Sequence, residues 1–277
     1  MTTALRSIAL SWFAQARRAV VVQVQSAQGS VPRGAGTRMV VAADDVAGTI
    51  GGGHLELQAI ELARRMVLTH TGAEQTHHYA LGPALGQCCG GAVTLRFVPL
   101  ATDNPALWPT RAPRFFLQLY GAGHVGRAIV HLLAGIDCQV QWIDEREDQF
   151  PTTPSPAHIE RVCVEPVQAE VALAPANALY LVLTHSHDLD MAITEAILRR
   201  ADFAFLGLIG SKTKHARFCH RFEARGVPTA VIKRITCPIG LPGIAGKEPE
   251  VIAVAAVAQL LGLTTPLAVI DDEAKAL

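Results

Sequence analysis

The stretch FFLQLYGAGHVGRAIVHLLA, residues 115–134, decides how the second half of the chain folds. It begins with FFLQLY, a short apolar run typical of a buried strand, and ends with RAIVHLLA, in which apolar residues recur at helical spacing. Glycines allow a sharp turn between the two segments. The glycines of this turn, in GAGHVG, are Gly121, Gly123 and Gly126.

A second predicted strand, Gln139–Ile143, ends at Asp144, which lies about 20 residues after the glycine turn. The order of strand, GxGxxG loop, helix, strand and acid is the fingerprint of a Rossmann-like fold. Further strands and helices alternate downstream, so we predict a Rossmann-like parallel-sheet domain over residues 114–277. These elements are strands at 159–164, 178–184 and 203–209 and helices at 189–200 and 212–224.

The first part of the chain has a different pattern. Leu5, Ile8, Trp12 and Phe13 recur at helical spacing, and the β-branched run Ala19–Gln25 predicts a strand. Further short strands and one long helix follow, which predicts an N-terminal α+β domain over residues 1–100. Residues 101–113 hold three prolines and no periodic pattern, so they are predicted to form a linker. The fold class is therefore α/β, with two domains.

Composition excludes several classes of function. The 277 residues carry a formal net charge of zero, which gives no electrostatic footprint for nucleic acid. No apolar run approaches the roughly 20 residues that span a bilayer, so no membrane segment is expected. The six cysteines are scattered without a CxxC pair, which indicates neither a disulfide framework nor a zinc finger. We expect a cytoplasmic protein.

Two glycine-rich loops of the first domain could bind an anion. The loop GSVPRGAGTRM contains Arg33 and Arg38, whose guanidinium groups suit phosphate or carboxylate but could equally cap carbonyls. The loop GTIGGGHLE opens a helix, and Gly51–Gly53 would let a phosphate reach its free N–H groups. A tight structural turn is the alternative. His54 and Glu56 could transfer protons or simply occupy the first helical turn.

A third glycine-rich loop, LGPALGQCCGG, contains Cys88 and Cys89, which follow Gln87. A thiolate is a soft metal ligand and a good nucleophile, and glycines let the backbone approach a ligand. Alternatively, one cysteine could be a small core residue in a turn. If the three glycine loops of this domain converge, they line one pocket.

Two further segments of the second domain hold polar candidates. His185 and His187 lie in THSHDLD, at the carboxyl end of a core strand, where open α/β sheets bind ligands. The segment does not match the dimetal pattern HxHxDH, so contacts to a ligand or acid–base chemistry are favoured over a metal. Lys247 precedes a predicted helix and could meet an anion or lie free on the surface.

Taken in order, these segments resemble the xanthine dehydrogenase accessory protein family, of the XdhC/CoxI type. The segments that carry the resemblance span nearly the whole chain, and as an ordered set they are specific. They are GSVPRGAGTRM, GTIGGGHLE, LGQCCGG, GAGHVG, LTHSHDLD, GLIGSKTK and CPIGLPGIAGKEP.

The resemblance implies a carrier rather than a catalyst. Such proteins bind molybdenum cofactor, shelter it while it is sulfurated with a cysteine desulfurase, and deliver it to xanthine dehydrogenase, and self-association is expected of them. Molybdopterin is a phosphorylated pterin whose metal prefers sulfur donors, which agrees with thiols beside phosphate cradles. By resemblance, Cys88 or Cys89 contacts molybdenum, with Cys88 slightly favoured. The expected cofactor-binding residues are Cys88, Cys89, Gln87, Gly51, Gly52, Gly53, Arg33, Gly121, Gly123, Gly126, His185, His187 and Lys247.

Two other functions are compatible with parts of the chain. GAGHVG and Asp144 by themselves would suggest an NAD(P)-dependent oxidoreductase, although the cysteine and glycine loops would then have no role. A thiol-dependent enzyme could use Cys89 with His54 or His185, but no nucleophile signature surrounds the cysteine.

Overall fold

The computed structural model describes residues 3–81, 90–109 and 112–264. The chain forms two compact units, Met1–Arg111 and Ala112–Leu277. The boundary between them falls inside the segment that we predicted to be a linker. In the described part of the chain, no helix combines the length and apolarity that crossing a membrane requires.

The first unit is an antiparallel five-stranded sheet in the order β3-β2-β1-β5-β4. One helix packs on each face. Its elements are α1 (Thr3–Ala14), β1 (Ala19–Gln28), β2 (Arg38–Ala42), β3 (Val46–Gly48), α2 (Gly53–Leu68), β4 (Gln75–Ala80) and β5 (Ala92–Pro99).

The apolar run at the start of β1 follows from burial on both faces of the sheet. Val20 and Val22 pack in the core beneath α2, while Ala19 and Val21 pack in the core beneath α1. Successive side chains of a strand point to opposite faces, so a strand between two helices needs apolar residues at every position.

Part of the predicted linker packs in the core of the first unit. Two 3-10 turns, Leu100–Thr102 and Pro105–Leu107, lie against α1, and the side chain of Trp108 is 4% exposed in the core beneath α1. The guanidinium of Arg6 donates hydrogen bonds to the carbonyl oxygens of Pro105 (3.1 Å) and Ala106 (2.7 Å).

The second unit is a parallel six-stranded sheet in the order β11-β10-β9-β6-β7-β8, which confirms the predicted Rossmann-like fold. The strand order reverses between β6 and β9, where such sheets form a ligand crevice. Its elements are β6 (Phe116–Tyr120), α3 (His124–Leu133), β7 (Gln139–Asp144), β8 (Ile159–Cys163), β9 (Leu179–Val182), α4 (His187–Arg200), β10 (Phe205–Leu208), α5 (Lys212–Ala224), α6 (Thr229–Ile232), β11 (Ile235–Thr236) and α7 (Pro249–Leu263).

Candidate functional site

The three glycine loops of the first unit meet one another. The loop that follows β1 is contacted by the triglycine loop and by the glycines that follow the cysteines. A Cβ atom placed on Gly29 would lie 3.2 Å from the Cα of Gly91, and one on Gly91 would lie 2.4 Å from the carbonyl oxygen of Gln28. A Cβ on Gly51 would lie 2.4 Å from the Cβ of Pro32. Glycine is therefore required at Gly51 and Gly91, because a larger residue would collide with the neighbouring loop.

Gln87, Cys88 and Cys89 lie outside the described residues, but the structure describes Leu81 and Gly90 on either side of that segment. The backbone N–H of Leu81 donates a hydrogen bond to the carbonyl oxygen of Gly91 at 2.7 Å. Because Gly91 also lies against the loop after β1, the described residues that flank the cysteine segment lie beside that glycine loop.

The carboxylate of Glu56 occupies the inner side of the triglycine loop. Its Oε2 atom accepts hydrogen bonds from the Thr49 hydroxyl (2.5 Å) and from the backbone N–H groups of Ile50 (2.9 Å) and Gly52 (3.0 Å). Burial raises the pKa of Glu56, but these hydrogen bonds outweigh burial, and the net pKa is lowered. Of the two roles left open for Glu56, the geometry favours the structural one, and an incoming phosphate would have to use other donors.

Arg33 lies beside the triglycine loop. Its side chain is exposed, and its Cγ would lie 3.5 Å from a Cβ on Gly51. In the part of the chain that the structure describes, its guanidinium makes no ion pair or hydrogen bond. Arg38 differs, because its guanidinium lies over the ring of Trp108 (5.2 Å), donates to Gln23 and has its pKa lowered by burial. Arg33 is thus the more accessible of the two arginines for an anion.

The glycines of the second unit have separate roles. A Cβ on Gly121, whose φ is 118°, would lie 2.4 Å from the carbonyl oxygen of Leu183, and one on Gly126 would lie 2.0 Å from the carbonyl oxygen of Gly121. Both glycines therefore permit close packing of the loop and the helix. A Cβ on Gly123 would meet nothing within 4 Å, so this glycine faces the open space where a phosphate would approach.

The acid of the fingerprint is already engaged. Asp144 is 5% exposed and accepts hydrogen bonds from the backbone N–H of Ala122 (2.7 Å) and from Nε and Nη2 of Arg146 (both 3.0 Å). Burial raises the pKa of Asp144, but the hydrogen bonds from Arg146 and Ala122 lower it by more. The net pKa is therefore below the usual value for aspartate, and the carboxylate is held ionised. Since both carboxylate oxygens are used inside the protein, Asp144 is poorly placed to bind a ribose.

The two histidines follow β9, as predicted. The Nε2 atom of His185 lies 3.7 Å from Oε1 of Glu145, and His187 is the first residue of α4. Within residues 3–81, 90–109 and 112–264, no group of three or more His, Cys, Asp or Glu residues could hold a metal ion.

A buried ion pair beside these histidines was missed by the sequence analysis. Lys214 Nζ lies 2.5 Å from Asp190 Oδ2 and also donates to the carbonyl oxygen of Ile209 at 2.8 Å. Asp190 Oδ1 accepts from the backbone N–H and the hydroxyl of Thr184. Asp190 lies in THSHDLD and Lys214 lies in GLIGSKTK. The sequence signal for this pair was an acid and a lysine, each just after a predicted core strand.

Lys247 lies in the exposed loop before α7. Its backbone N–H donates to the carboxylate of Glu248 at 2.9 Å, and Glu250 lies in the first turn of the helix. The nearby acids already complement the positive end of this helix, which makes Lys247 the weakest of the predicted anion ligands.

The fold and these loops define a two-unit α/β protein with a Rossmann-like second unit, and comparison with known proteins gives its family. Residues 12–80 match the XdhC and CoxI family, and residues 117–260 match the XdhC Rossmann domain. The chain therefore belongs to the XdhC/CoxI-type family, as the ordered motifs indicated.

Two of the proteins that are similar to this chain show how far the similarity extends. The uncharacterized protein YqeB of Escherichia coli (strain K12) is 30% identical over 257 residues, which cover 87% of this chain but 42% of that protein. The chain thus spans less than half the length of this relative. A chain from Bacillus halodurans, described as a xanthine dehydrogenase, superimposes with a TM-score of 0.69 at 18% identity, covering 95% of this chain and 96% of that one. This second similarity establishes the fold.

Proposed function

We propose that this protein is a xanthine dehydrogenase accessory protein that binds molybdenum cofactor, protects it during sulfuration by a cysteine desulfurase, and delivers it to the enzyme. Membership of the XdhC/CoxI-type family supports the accessory role. The observation that carries the cofactor-binding part is the convergence of the Gly29, Gly51 and Gly91 loops beside Arg33, whose guanidinium has no partner among the described residues.

The chemistry of these groups suits a phosphorylated pterin. Arg33 would bind the phosphate as a charge-assisted fork, and Gly51–Gly53 would let the pterin approach the backbone closely. Glu56 fixes the shape of that loop before the ligand arrives. The carrier would therefore bind its cargo without first ordering the loop, which saves conformational entropy.

The thiols would contact the metal. In this proposal Cys88 or Cys89, next to Gln87, contributes a thiolate to molybdenum, and Gly90 and Gly91 tether that segment to the glycine loops. Soft thiolates suit molybdenum, and the remaining coordination sites would stay open for sulfuration and hand-over. Self-association of the carrier is part of the same expectation.

The second unit offers an alternative function. GAGHVG in its strand–helix setting favours nucleotide binding, as in an NAD(P)-dependent oxidoreductase. The engagement of Asp144 by Arg146 and Ala122 weighs against recognition of the NAD ribose. Titration with NAD(H) and NADP(H) distinguishes a cofactor carrier from an oxidoreductase. Micromolar binding with hydride transfer to a carbonyl would establish the oxidoreductase instead.

Hand-over tests the proposal. Full-length protein loaded with molybdenum cofactor should restore activity to cofactor-free xanthine dehydrogenase, and Arg33→Gln should lower the loading by about tenfold. Arg65→Gln is the matched control, because Arg65 is an exposed arginine near the other end of α2. Failure of the wild-type protein to transfer cofactor, or equal loading of both variants, would contradict the proposal.

A further inference from the structure

A cavity of about 430 Å³ lies in the second unit, where β9 and β10 end. It is separate in sequence from the cysteine and triglycine loops of the first unit. Its side chains come from the segments that follow these two strands and from the first turns of α4 and α5. The charged and hydrogen-bonding groups that line it include His185, His187, Asp190, Thr213, Lys214 and Arg217.

The charges of this cavity do not balance. Asp190 is the carboxylate among its lining residues, and the 2.5 Å contact with Lys214 already neutralises it. Both members of that pair are buried, with side chains 2% and 8% exposed. Arg217 lines the same cavity and, among the residues that the structure describes, has neither an acidic partner nor a hydrogen bond. The lining residues therefore carry a net positive charge, and one further carboxylate, Glu145, lies 3.7 Å from Nε2 of His185 at the edge of this set.

Its donors suit an oxyanion. The guanidinium of Arg217 offers parallel N–H groups, the hydroxyl of Thr213 lies one helical turn before it, and the imidazole of His187 lines the cavity from α4. The volume accommodates a phosphate group with a small organic body.

We propose that this cavity binds the phosphate group of a small phosphate monoester. Arg217 is the main phosphate ligand, Thr213 and His187 add hydrogen bonds, and the Asp190–Lys214 pair forms a fixed floor. The site uses neither cysteine, and its main ligand, Arg217, is not among the residues expected to bind molybdenum cofactor, although His185 and His187 are. We assign it as a ligand site beyond the carrier role, and its test does not depend on molybdenum cofactor.

Calorimetric titration of the full-length protein tests this proposal, with inorganic phosphate and glycerol 3-phosphate as probes and chloride at equal ionic strength as the comparison. We expect both phosphates to bind and chloride not to, and Arg217→Gln to weaken phosphate binding by about tenfold or more. His187→Gln should weaken it in the same direction.

Arg221→Gln is the matched control, because Arg221 lies one turn further along α5, near the Sδ of Met191 at 3.8 Å. It should bind phosphate like the wild type. Phosphate binding no stronger than chloride binding, or equal losses in the Arg217 and Arg221 variants, would overturn the proposal. Both arginines are exposed, so melting temperatures of the variants should match the wild type.

Discussion

Glu56 accepts a hydrogen bond at 3.0 Å from the backbone N–H of Gly52, four positions earlier in the chain. The carboxylate thereby holds the triglycine loop in place from within the helix that the loop opens. Glu56→Gln should lower the free energy of unfolding by about 1–3 kcal/mol, because the charge-assisted bonds are lost. Urea unfolding measures this. Glu61→Gln, at an exposed position of the same helix, should change little, and equal effects would contradict this role.

Asp144 makes stability depend on acid pH. Its pKa is lower in the folded protein than in the unfolded chain, so its contribution is fully present at neutral pH. That contribution is lost as the pH falls below about 4, the unfolded value, and through the folded pKa. The free energy of unfolding should therefore fall less steeply between pH 5 and 3 in Asp144→Asn than in the wild type. The exposed Asp148→Asn should keep the wild-type slope; identical slopes in all three proteins would contradict the assignment.

Gly91 and its neighbour Gly90 form a natural matched pair. A methyl group on Gly91 would collide with the carbonyl oxygens of Gln28 (2.4 Å) and Ser30 (2.5 Å), whereas one on Gly90 would meet nothing within 4 Å. Gly91→Ala should cost about 1–3 kcal/mol of stability and weaken cofactor binding, and Gly90→Ala should do neither. The melting temperatures of the two variants test this prediction. A Gly91→Ala protein as stable as the wild type would disprove the close approach of the loops.

The sequence was sufficient for most of the fold, because its patterns are local. The GxGxxG loop between a strand and a helix predicted the parallel sheet, and the alternation of strands and helices after it predicted the order of elements. The helix α3 begins at His124 rather than Arg127, since its first turn is formed by the fingerprint itself. The short strands β3 and β11 were missed, because strands of three and two residues carry no periodic signal.

The candidate site was harder to predict, because its contacts join distant residues. The sequence located the glycine loops but could not show that Gly29 lies against Gly91. It also could not pair Asp190 with Lys214, which lie 24 positions apart, or show that Asp144 accepts a hydrogen bond from the backbone N–H of Ala122. Each of these contacts depends on how strands and helices pack.

Lys214 should be important for the stability of the second unit. Lys214→Met leaves the carboxylate of Asp190 buried without its counter-charge, which should cost about 3–5 kcal/mol. The double variant Lys214→Met with Asp190→Asn should recover part of this loss, because no buried charge is left unpaired. Lys212→Met, at an exposed position of the same helix, is the control. The midpoint of denaturant unfolding measures the effect of each variant. Similar midpoints for Lys214→Met and Lys212→Met would contradict the stabilising role of the buried pair.

The proposed function requires that this chain hold molybdenum cofactor through its adjacent cysteines. The most direct measurement is the ratio of molybdenum to protein retained by the full-length chain after incubation with cofactor and gel filtration. We expect the wild type and Cys163→Ala, which lacks an exposed cysteine of the second unit, to retain molybdenum equally. We expect the double variant Cys88→Ala with Cys89→Ala to lose most of it. Retention at the wild-type level in that double variant would contradict the account.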